Sequence, residues 1–151
     1  MTLWPGYYRN KGYLEPVLTE IPKIKIDPDQ EPDTFIETST GKYAIHSKTH
    51  INSANGGGGI EDIPAGHTLT WMYPHDEIHW ILKGKAEMTY SLAGTSHTEQ
   101  KTVNLEPGDI FLIPLGARLT IKVDPSGPLR RLLVSMPLPI GSSVFRPPEK
   151  K

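Results

Sequence analysis

From residue 67 onward the chain alternates between short apolar segments and turn residues, and this spacing restricts its fold more than any other feature. The apolar segments end at glycine or proline, as at Gly84, Gly94 and Pro107. Glycine tolerates positive φ and proline fixes φ without an amide hydrogen, so both favour turns. No helical apolar period persists for three turns. We therefore predict an all-β protein with strands at residues 43–48, 67–73, 77–83, 86–92, 102–105, 110–113, 119–123 and 129–136.

The composition is consistent with one small domain. The 151 residues can bury one hydrophobic core, and the 14 glycines and 15 prolines follow no fixed period. A net charge of −1 gives no electrostatic basis for nucleic-acid binding, and the absence of cysteine excludes thiolate chemistry and disulfides. No apolar run reaches the roughly 20 residues that a membrane span needs, and no signal-peptide pattern opens the chain. We expect a cytoplasmic protein with no membrane or nucleic-acid partner.

Two flanking segments differ in composition from the predicted domain at residues 41–138. Residues 1–40 contain five prolines, which limits this arm to irregular structure or edge strands. Its aromatic start is expected to pack on the domain or on a neighbouring subunit. Residues 139–151 form a proline-rich, charged tail that we expect to fray. Four consecutive glycines predict a flexible loop at residues 53–59, because the Lys-Ser or Lys-Thr pair of a phosphate-binding loop is absent.

Two motifs stand in order within the β-rich region. The first runs from Glu77 through six residues to Gly84, with an apolar run before the glycine. The second runs from Gly108 through five residues to Pro114-Leu115-Gly116, and 23 residues separate Gly84 from Gly108. Each glycine is expected where a strand ends or turns and a Cβ would clash, and Pro114 presets the turn before the next strand.

Together these motifs resemble the two signature motifs of the cupin superfamily over residues 60–136. The resemblance implies a single-domain jelly-roll β-barrel, commonly a homodimer, with a pocket inside the barrel. In most cupins this pocket holds a divalent metal on three histidines and one glutamate or glutamine. Here Glu77 matches the glutamate, but Trp71-Met72-Tyr73 or Thr70-Trp71-Met72 stands where the family has its His-x-His pair. Leu119 stands at the position of the remaining histidine.

In lacking these histidines, the chain is similar to one branch of the superfamily, the small cupin encoded with ethanolamine-utilisation genes. That branch also lacks the His-x-His pair and carries a tryptophan, then an aromatic residue followed by Asp-Glu. Trp71 and Asp76-Glu77 match this pattern, while His75 stands at the aromatic position. The similarity implies a small-molecule pocket with little or no metal.

Strand alternation places Glu77, His79 and Ile81 on one face of their strand and Trp80 on the other. The motif points Glu77 into the barrel, and His79 follows because side chains alternate with period two. The simpler interpretation is that both are solvated surface groups. A buried Glu–His pair would shift the pKa values of its members and transfer protons near neutral pH. We therefore assign Glu77 and His79 as candidate catalytic residues.

The strand before Glu77 contributes a second set of candidates. Leu69, Trp71 and Tyr73 share a face, and the last two map to positions where the family has ligands. Tyr73 is a further candidate catalytic residue, as an acid or a hydrogen-bond donor, whereas Trp71 and Leu69 are candidate substrate contacts. Arg118 and Leu119 are further substrate-binding candidates, since an inward arginine would bind a carboxylate or phosphate. The alternative is that the aromatic residues only pack and Arg118 lies at the surface.

A metal site is a further alternative: if His46 meets Glu77 and His79 across the barrel, these three side chains would be its ligands. Imidazole and carboxylate ligands suit Zn, Mn, Fe or Ni, although no cofactor is expected outright.

Three candidate functions follow from these residues. The favoured one is a small-molecule enzyme with lyase, isomerase or cyclase chemistry around Glu77 and His79. The others are a non-catalytic small-ligand-binding cupin and a metal-dependent oxygenase with atypical ligands. We expect His67, His75 and His97 to be solvated near turns.

Overall fold

The structure is a computed structural model that describes residues 21–53, 56–95 and 98–136. These residues form two antiparallel β-sheets and one short 3-10 helix at Ser47–Thr49. None of the described helical segments has the length and hydropathy to cross a membrane. The predicted C-terminal tail, His97 and the aromatic start of the arm lie outside the described residues.

The larger sheet has seven strands. Its order is β1-β2-β4-β11-β6-β9, and β3 pairs with β4 beside this path. The strands are β1 (Thr34–Thr38), β2 (Gly41–Ile45), β3 (Ile51–Ser53), β4 (Gly56–Ile63), β6 (Glu77–Lys83), β9 (Ile110–Ile113) and β11 (Leu129–Ser135).

The smaller sheet has four strands in the order β5-β10-β7-β8. Its inner face packs on the larger sheet and forms an apolar core that includes Leu69, Met88, Leu119 and Ile121. The all-β prediction is confirmed, and the expected strands lie within two or three residues of the observed bounds. The four strands are β5 (Thr68–Met72), β7 (Ala86–Ser91), β8 (Lys101–Leu105) and β10 (Arg118–Val123).

The glycine-rich segment is the main correction to the sequence prediction. Residues 56–59 begin β4 and pair with both β3 and β11, so they do not form a loop. A Cβ on Gly58 would come within 2.6 Å of the Leu133 carbonyl oxygen, and a Cβ on Gly59 would overlap the His50 ring. These glycines therefore serve close strand packing, which local sequence does not reveal.

Alternation along β6 positions the functional side chains. Glu77, His79 and Ile81 face the interior with 6%, 0% and 0% of their surface exposed. Trp80, on the opposite face, is 47% exposed. The predicted inward direction of Glu77 and His79 is therefore confirmed. The strand ends at Lys83, and Gly84 follows with a φ of +85°. A Cβ on Gly84 would overlap the Pro128 carbonyl oxygen, which explains the glycine of the first motif.

Candidate functional site

A cavity of about 260 Å³ lies between the two sheets. Strands β2, β4, β6 and β11 of the larger sheet form one wall, and β5 with the residue that follows it forms the other. Several charged and aromatic side chains reach this one space, which is unusual for the interior of a small β-domain. Its lining residues are Tyr43, Glu61, Leu69, Trp71, Tyr73, His75, Glu77, Arg131, Leu133 and Ser135.

The Glu77 carboxylate lies between two imidazole rings. Its Oε2 is 3.1 Å from Nε2 of His75, and its Oε1 is 3.3 Å from Nε2 of His79. His75 is 7% exposed and lines the cavity, while His79 is fully buried behind it. The expectation that His75 is solvated is wrong, because Asp76 accepts a hydrogen bond from the Leu115 amide and holds this turn against the barrel.

A buried guanidinium completes the network. Arg131 is 3% exposed, and its Nη1 lies 3.3 Å from Nδ1 of His79. Its Nη2 donates a hydrogen bond of 3.3 Å to Oε2 of Glu61. Within the described residues its Nε has no hydrogen-bond partner. Strand β11 aligns Arg131 with Glu61 of β4, so the sheet register itself sets this pair side by side.

The network shifts the pKa values of its members in different directions. Burial alone would raise the pKa of Glu77, but hydrogen bonding to His75 and His79 outweighs it and lowers that pKa to about 2. Burial, helped by the positive charge of Arg131, lowers the pKa of His79 to about 4. Burial raises the pKa of Glu61 despite the nearby Arg131. Near neutral pH, Glu77 is therefore ionised and His79 is neutral.

Aromatic side chains surround this polar network. The Tyr73 ring packs edge-on against His79 at 5.8 Å, and Phe111 packs on the same imidazole at 5.3 Å. Tyr43 and Trp71 pack edge-on at 6.3 Å on the cavity wall. Burial raises the pKa of Tyr73 to about 12, so its hydroxyl stays protonated and remains a hydrogen-bond donor at neutral pH.

The structure brings together some of the predicted substrate contacts and separates others. Leu69, Trp71 and Tyr73 line the cavity together. Arg118 is exposed on β10 and does not line it, because alternation points Leu119 inward and Arg118 outward. Leu119 packs in the apolar core and also borders a separate apolar cleft. Arg118 and Leu119 are therefore not part of this cavity.

His46 lies on the opposite side of the larger sheet from His79. Its Nε2 is 3.2 Å from Oδ2 of Asp62, which also binds Arg130 through two hydrogen bonds of 3.0 Å. Arg130 donates a further hydrogen bond to the Pro28 carbonyl. Asp62 follows Glu61 on β4, where side chains alternate between the faces of the sheet, and β4 pairs Asp62 with Arg130 and Glu61 with Arg131. The pairing of β11 with β6 shifts register between these two arginines. The predicted ligand set of His46, Glu77 and His79 is therefore wrong.

The cavity does not fit the divalent metal that the superfamily resemblance implies. In residues 21–53, 56–95 and 98–136, no three His, Asp or Glu side chains are arranged to hold an ion. The guanidinium of Arg131 adds a fixed positive charge beside His79. Both histidine Nε2 atoms face Glu77 oxygens at 3.1 and 3.3 Å, so the carboxylate lies where they would share a cation.

Sequence reasoning missed Glu61, His75 and Arg131 as parts of the site. Glu61 follows the glycines that predict a loop, so the sequence predicts no strand there, whereas the structure has Glu61 on β4. His75 sits in a turn, where exposure is the usual outcome. Arg131 lies in a strand that also contains the apolar residues Leu129 and Leu133. The sequence signal that could have identified Arg131 is a charged residue at an inward position of a mostly apolar strand.

Comparisons with known proteins rest on structure alone. No protein-family model and no curated protein matches the sequence. Oxalate decarboxylase from Lactobacillus farciminis, in a formate complex, is 20% identical with a TM-score of 0.51, covering 69% of this chain and 31% of that one. Oxalate decarboxylase from Bacillus subtilis, studied for its Mn(II) centres, is 21% identical with a TM-score of 0.50, covering 72% and 28%.

The EutQ protein of Clostridium difficile also matches, at 18% identity and a TM-score of 0.48, covering 64% of this chain and 69% of that one. The chain spans about a third of the length of the oxalate decarboxylase chains that it matches. At 20% and 21% identity, the structural similarity to the two oxalate decarboxylases establishes the fold alone. With two antiparallel sheets around an interior cavity and both signature motifs in place, this chain has the jelly-roll fold of the cupins.

Proposed function

We propose that this protein is a small-molecule enzyme that transfers protons within the barrel cavity, as a lyase, isomerase or cyclase does. The observation that carries the proposal is the Glu77 carboxylate held between His75 and His79 with Arg131 behind it. Burying so many polar groups in a small barrel costs free energy unless they interact closely, and stability alone does not require them. A carboxylate beside an imidazole at a cavity wall is suited to acid–base chemistry.

The roles of the three residues differ in this proposal. His75 lines the cavity and exchanges a proton with the substrate. Glu77 stays ionised, because its pKa is about 2, and stabilises the imidazolium that forms on His75. His79 does not reach the cavity and has a pKa of about 4, so it positions Glu77. Tyr73 donates a hydrogen bond to the substrate, and Trp71 shapes the wall for a compact polar or ring compound.

Solvent hydrogen exchange tests the proposal across several classes of small molecule at once. Small carbonyl compounds, hydroxy acids and amino acids are incubated with the protein in D₂O, and deuterium incorporation at carbon is followed by NMR. We expect one class to exchange with the wild type and about 100-fold more slowly with Glu77→Gln, a typical contribution of acid–base catalysis. Glu87→Gln, an exposed change on β7, should exchange like the wild type.

The alternative is a non-catalytic cupin that binds a small ligand. One observation favours it, since neither Glu77 nor His79 titrates near neutral pH. This function predicts saturable ligand binding that shifts NMR signals at the cavity without deuterium incorporation. If the wild type incorporated deuterium and Glu77→Gln did so equally fast, the result would contradict both the proposed roles and the non-catalytic alternative.

We also propose a homodimer formed through the outer face of the larger sheet. Trp80, Ile110, Leu112 and Val134 are 43–69% exposed there, and β6 pairs with both β9 and β11, so these side chains form one apolar patch. Light scattering should give a dimer that Ile110→Glu converts to a monomer, whereas Val103→Glu on β8 should remain dimeric. The expected cytoplasmic location stays a prediction.

A further inference from the structure

The charges that line the cavity do not balance. Glu61 and Glu77 contribute two carboxylates, and Arg131 is the single lysine or arginine among the lining residues. The two carboxylates and the guanidinium of the lining together carry a formal charge of −1. Arg131 contacts only Oε2 of Glu61, and Oε1 makes no hydrogen bond within the described part of the chain. The cavity therefore has one carboxylate oxygen available for a ligand.

Glu61 is also poorly solvated at the cavity wall. Its side chain is 15% exposed, and burial is the main cause of its raised pKa. A carboxylate in this position gains more from a nearby positive charge than one at the surface does, because water screens it less. Burying the Glu61 carboxylate costs free energy, and Arg131 compensates only part of this cost. A cationic ligand would offset the rest.

Aromatic faces stand close to this carboxylate. Tyr43, Trp71 and Tyr73 line the same cavity as Glu61, and Trp71 is 38% exposed, which places its ring at the opening. Electron-rich aromatic faces attract organic cations, and the attraction grows when water is excluded. The combination of one free carboxylate oxygen and aromatic walls suits an ammonium group.

We infer that the cavity binds a small organic cation, with its ammonium group at Glu61 and its carbon skeleton against Trp71 and Tyr43. The inference names the substrate class for the proposed function and rests on that function only in assigning the cavity to a small molecule. Glu61 binds the charge, while His75 and Glu77 stay free to transfer the proton. A primary amine and a quaternary ammonium both satisfy this chemistry.

An anionic ligand is less favourable in the same space. Arg131 is the cation that would receive it, but this side chain is 3% exposed and already contacts His79 and Glu61. An anion that reached the unpartnered Nε would lie close to the Glu61 carboxylate as well, and repulsion between like charges would oppose binding.

Three probes of one shape and different charge test the inference with the full chain. Benzylammonium, benzyl alcohol and benzoate are titrated at pH 7 by calorimetry and by protein NMR. We expect benzylammonium to bind about tenfold more tightly than benzyl alcohol, and benzoate not to saturate at about 10 mM, beyond the range of a weak specific ligand. Glu61→Gln should remove the preference for the cation, and Glu87→Gln should retain it.

Three outcomes would overturn the inference. They are tightest binding of benzoate, equal binding of all three probes, and no saturable binding of benzylammonium. The wild-type comparison decides the matter even if Glu61→Gln fails to fold. A cation preference that Glu61→Gln retains would also contradict the role of this carboxylate. Because binding is measured without turnover, a failed deuterium exchange leaves this result intact, and a failed binding test leaves the exchange result intact.

Discussion

Nη1 of Arg131 lies 3.3 Å from Nδ1 of His79, and both side chains are buried. A guanidinium only donates hydrogen bonds, so Nδ1 of the imidazole must accept. The neutral ring therefore carries its proton on Nε2, which lies 3.3 Å from Oε1 of Glu77. A residue 52 positions away along the chain thus sets the tautomer of His79 and directs its N–H toward the carboxylate.

Replacing Arg131 with methionine should destabilise the fold by about 3–5 kcal/mol, because it leaves Glu61 and Glu77 buried without their counter-charge. Urea unfolding at pH 7 measures the change. Arg118→Met, at an exposed position of β10, should stay within about 0.5 kcal/mol of the wild type. Equal stability of the two variants would show that Arg131 does not compensate the buried carboxylates.

Acidification should destabilise the protein in two stages. The pKa of His79 is about 4 in the folded state against an ordinary 6.5, so the unfolded chain binds more protons between these values. Stability should therefore fall by roughly 3 kcal/mol as the pH is lowered from 6.5 to 4. Glu77, with its pKa lowered from 4.5 to about 2, adds a further loss as the pH falls through that range.

Urea unfolding at a series of pH values checks this dependence. His79→Gln should lose the part of the slope between pH 6.5 and 4 that comes from His79, whereas the raised pKa of Glu61 contributes in the opposite direction in both proteins. His67→Gln, an exposed histidine before β5, should retain the slope. A wild-type stability that is constant over this range would contradict a neutral, buried His79.

Two motif glycines should differ in their tolerance of alanine. Gly84 and Gly108 both have positive φ, +85° and +98°. An added Cβ on Gly84 would overlap the Pro128 carbonyl oxygen, whereas nothing lies within 4 Å at Gly108. We expect Gly108→Ala to cost about 1–2 kcal/mol from backbone strain alone, and Gly84→Ala to cost at least about 1 kcal/mol more. Thermal and urea unfolding compare them, and equal costs would contradict the clash.

Untagged protein should contain no stoichiometric divalent metal, and dialysis against a chelator should leave its Tm unchanged. The physical reason is that Arg131 places a positive charge at His79 while His46 lies on the other face of the sheet. Elemental analysis of the wild type and of a Glu77→Gln/His79→Ala double variant checks this. Stoichiometric metal that the double variant loses would show that the cavity rearranges into a metal site.

The sequence predicted strands correctly where neighbouring residues decide the backbone conformation. The segment 77–83 was expected as a strand and is one, because its apolar alternation and the terminal Gly84 agree. The sequence predicts a loop at residues 56–59, but these residues form a strand. Their glycines allow the close approach of the Leu133 carbonyl oxygen and the His50 ring, which a Cβ would prevent. The contact with Leu133 joins segments far apart in sequence, so a local sequence pattern does not predict it.

The sequence by itself determined the β-rich class, most strand positions, and the shared face of Glu77 and His79 on their strand. These follow from alternation and turn chemistry, which act over a few neighbouring residues. Only the tertiary structure decided that Arg131 meets Glu61, 70 positions away, and that His46 pairs with Asp62 on the opposite face. Such partners depend on the pairing register of distant strands, which is set by close packing across the whole domain.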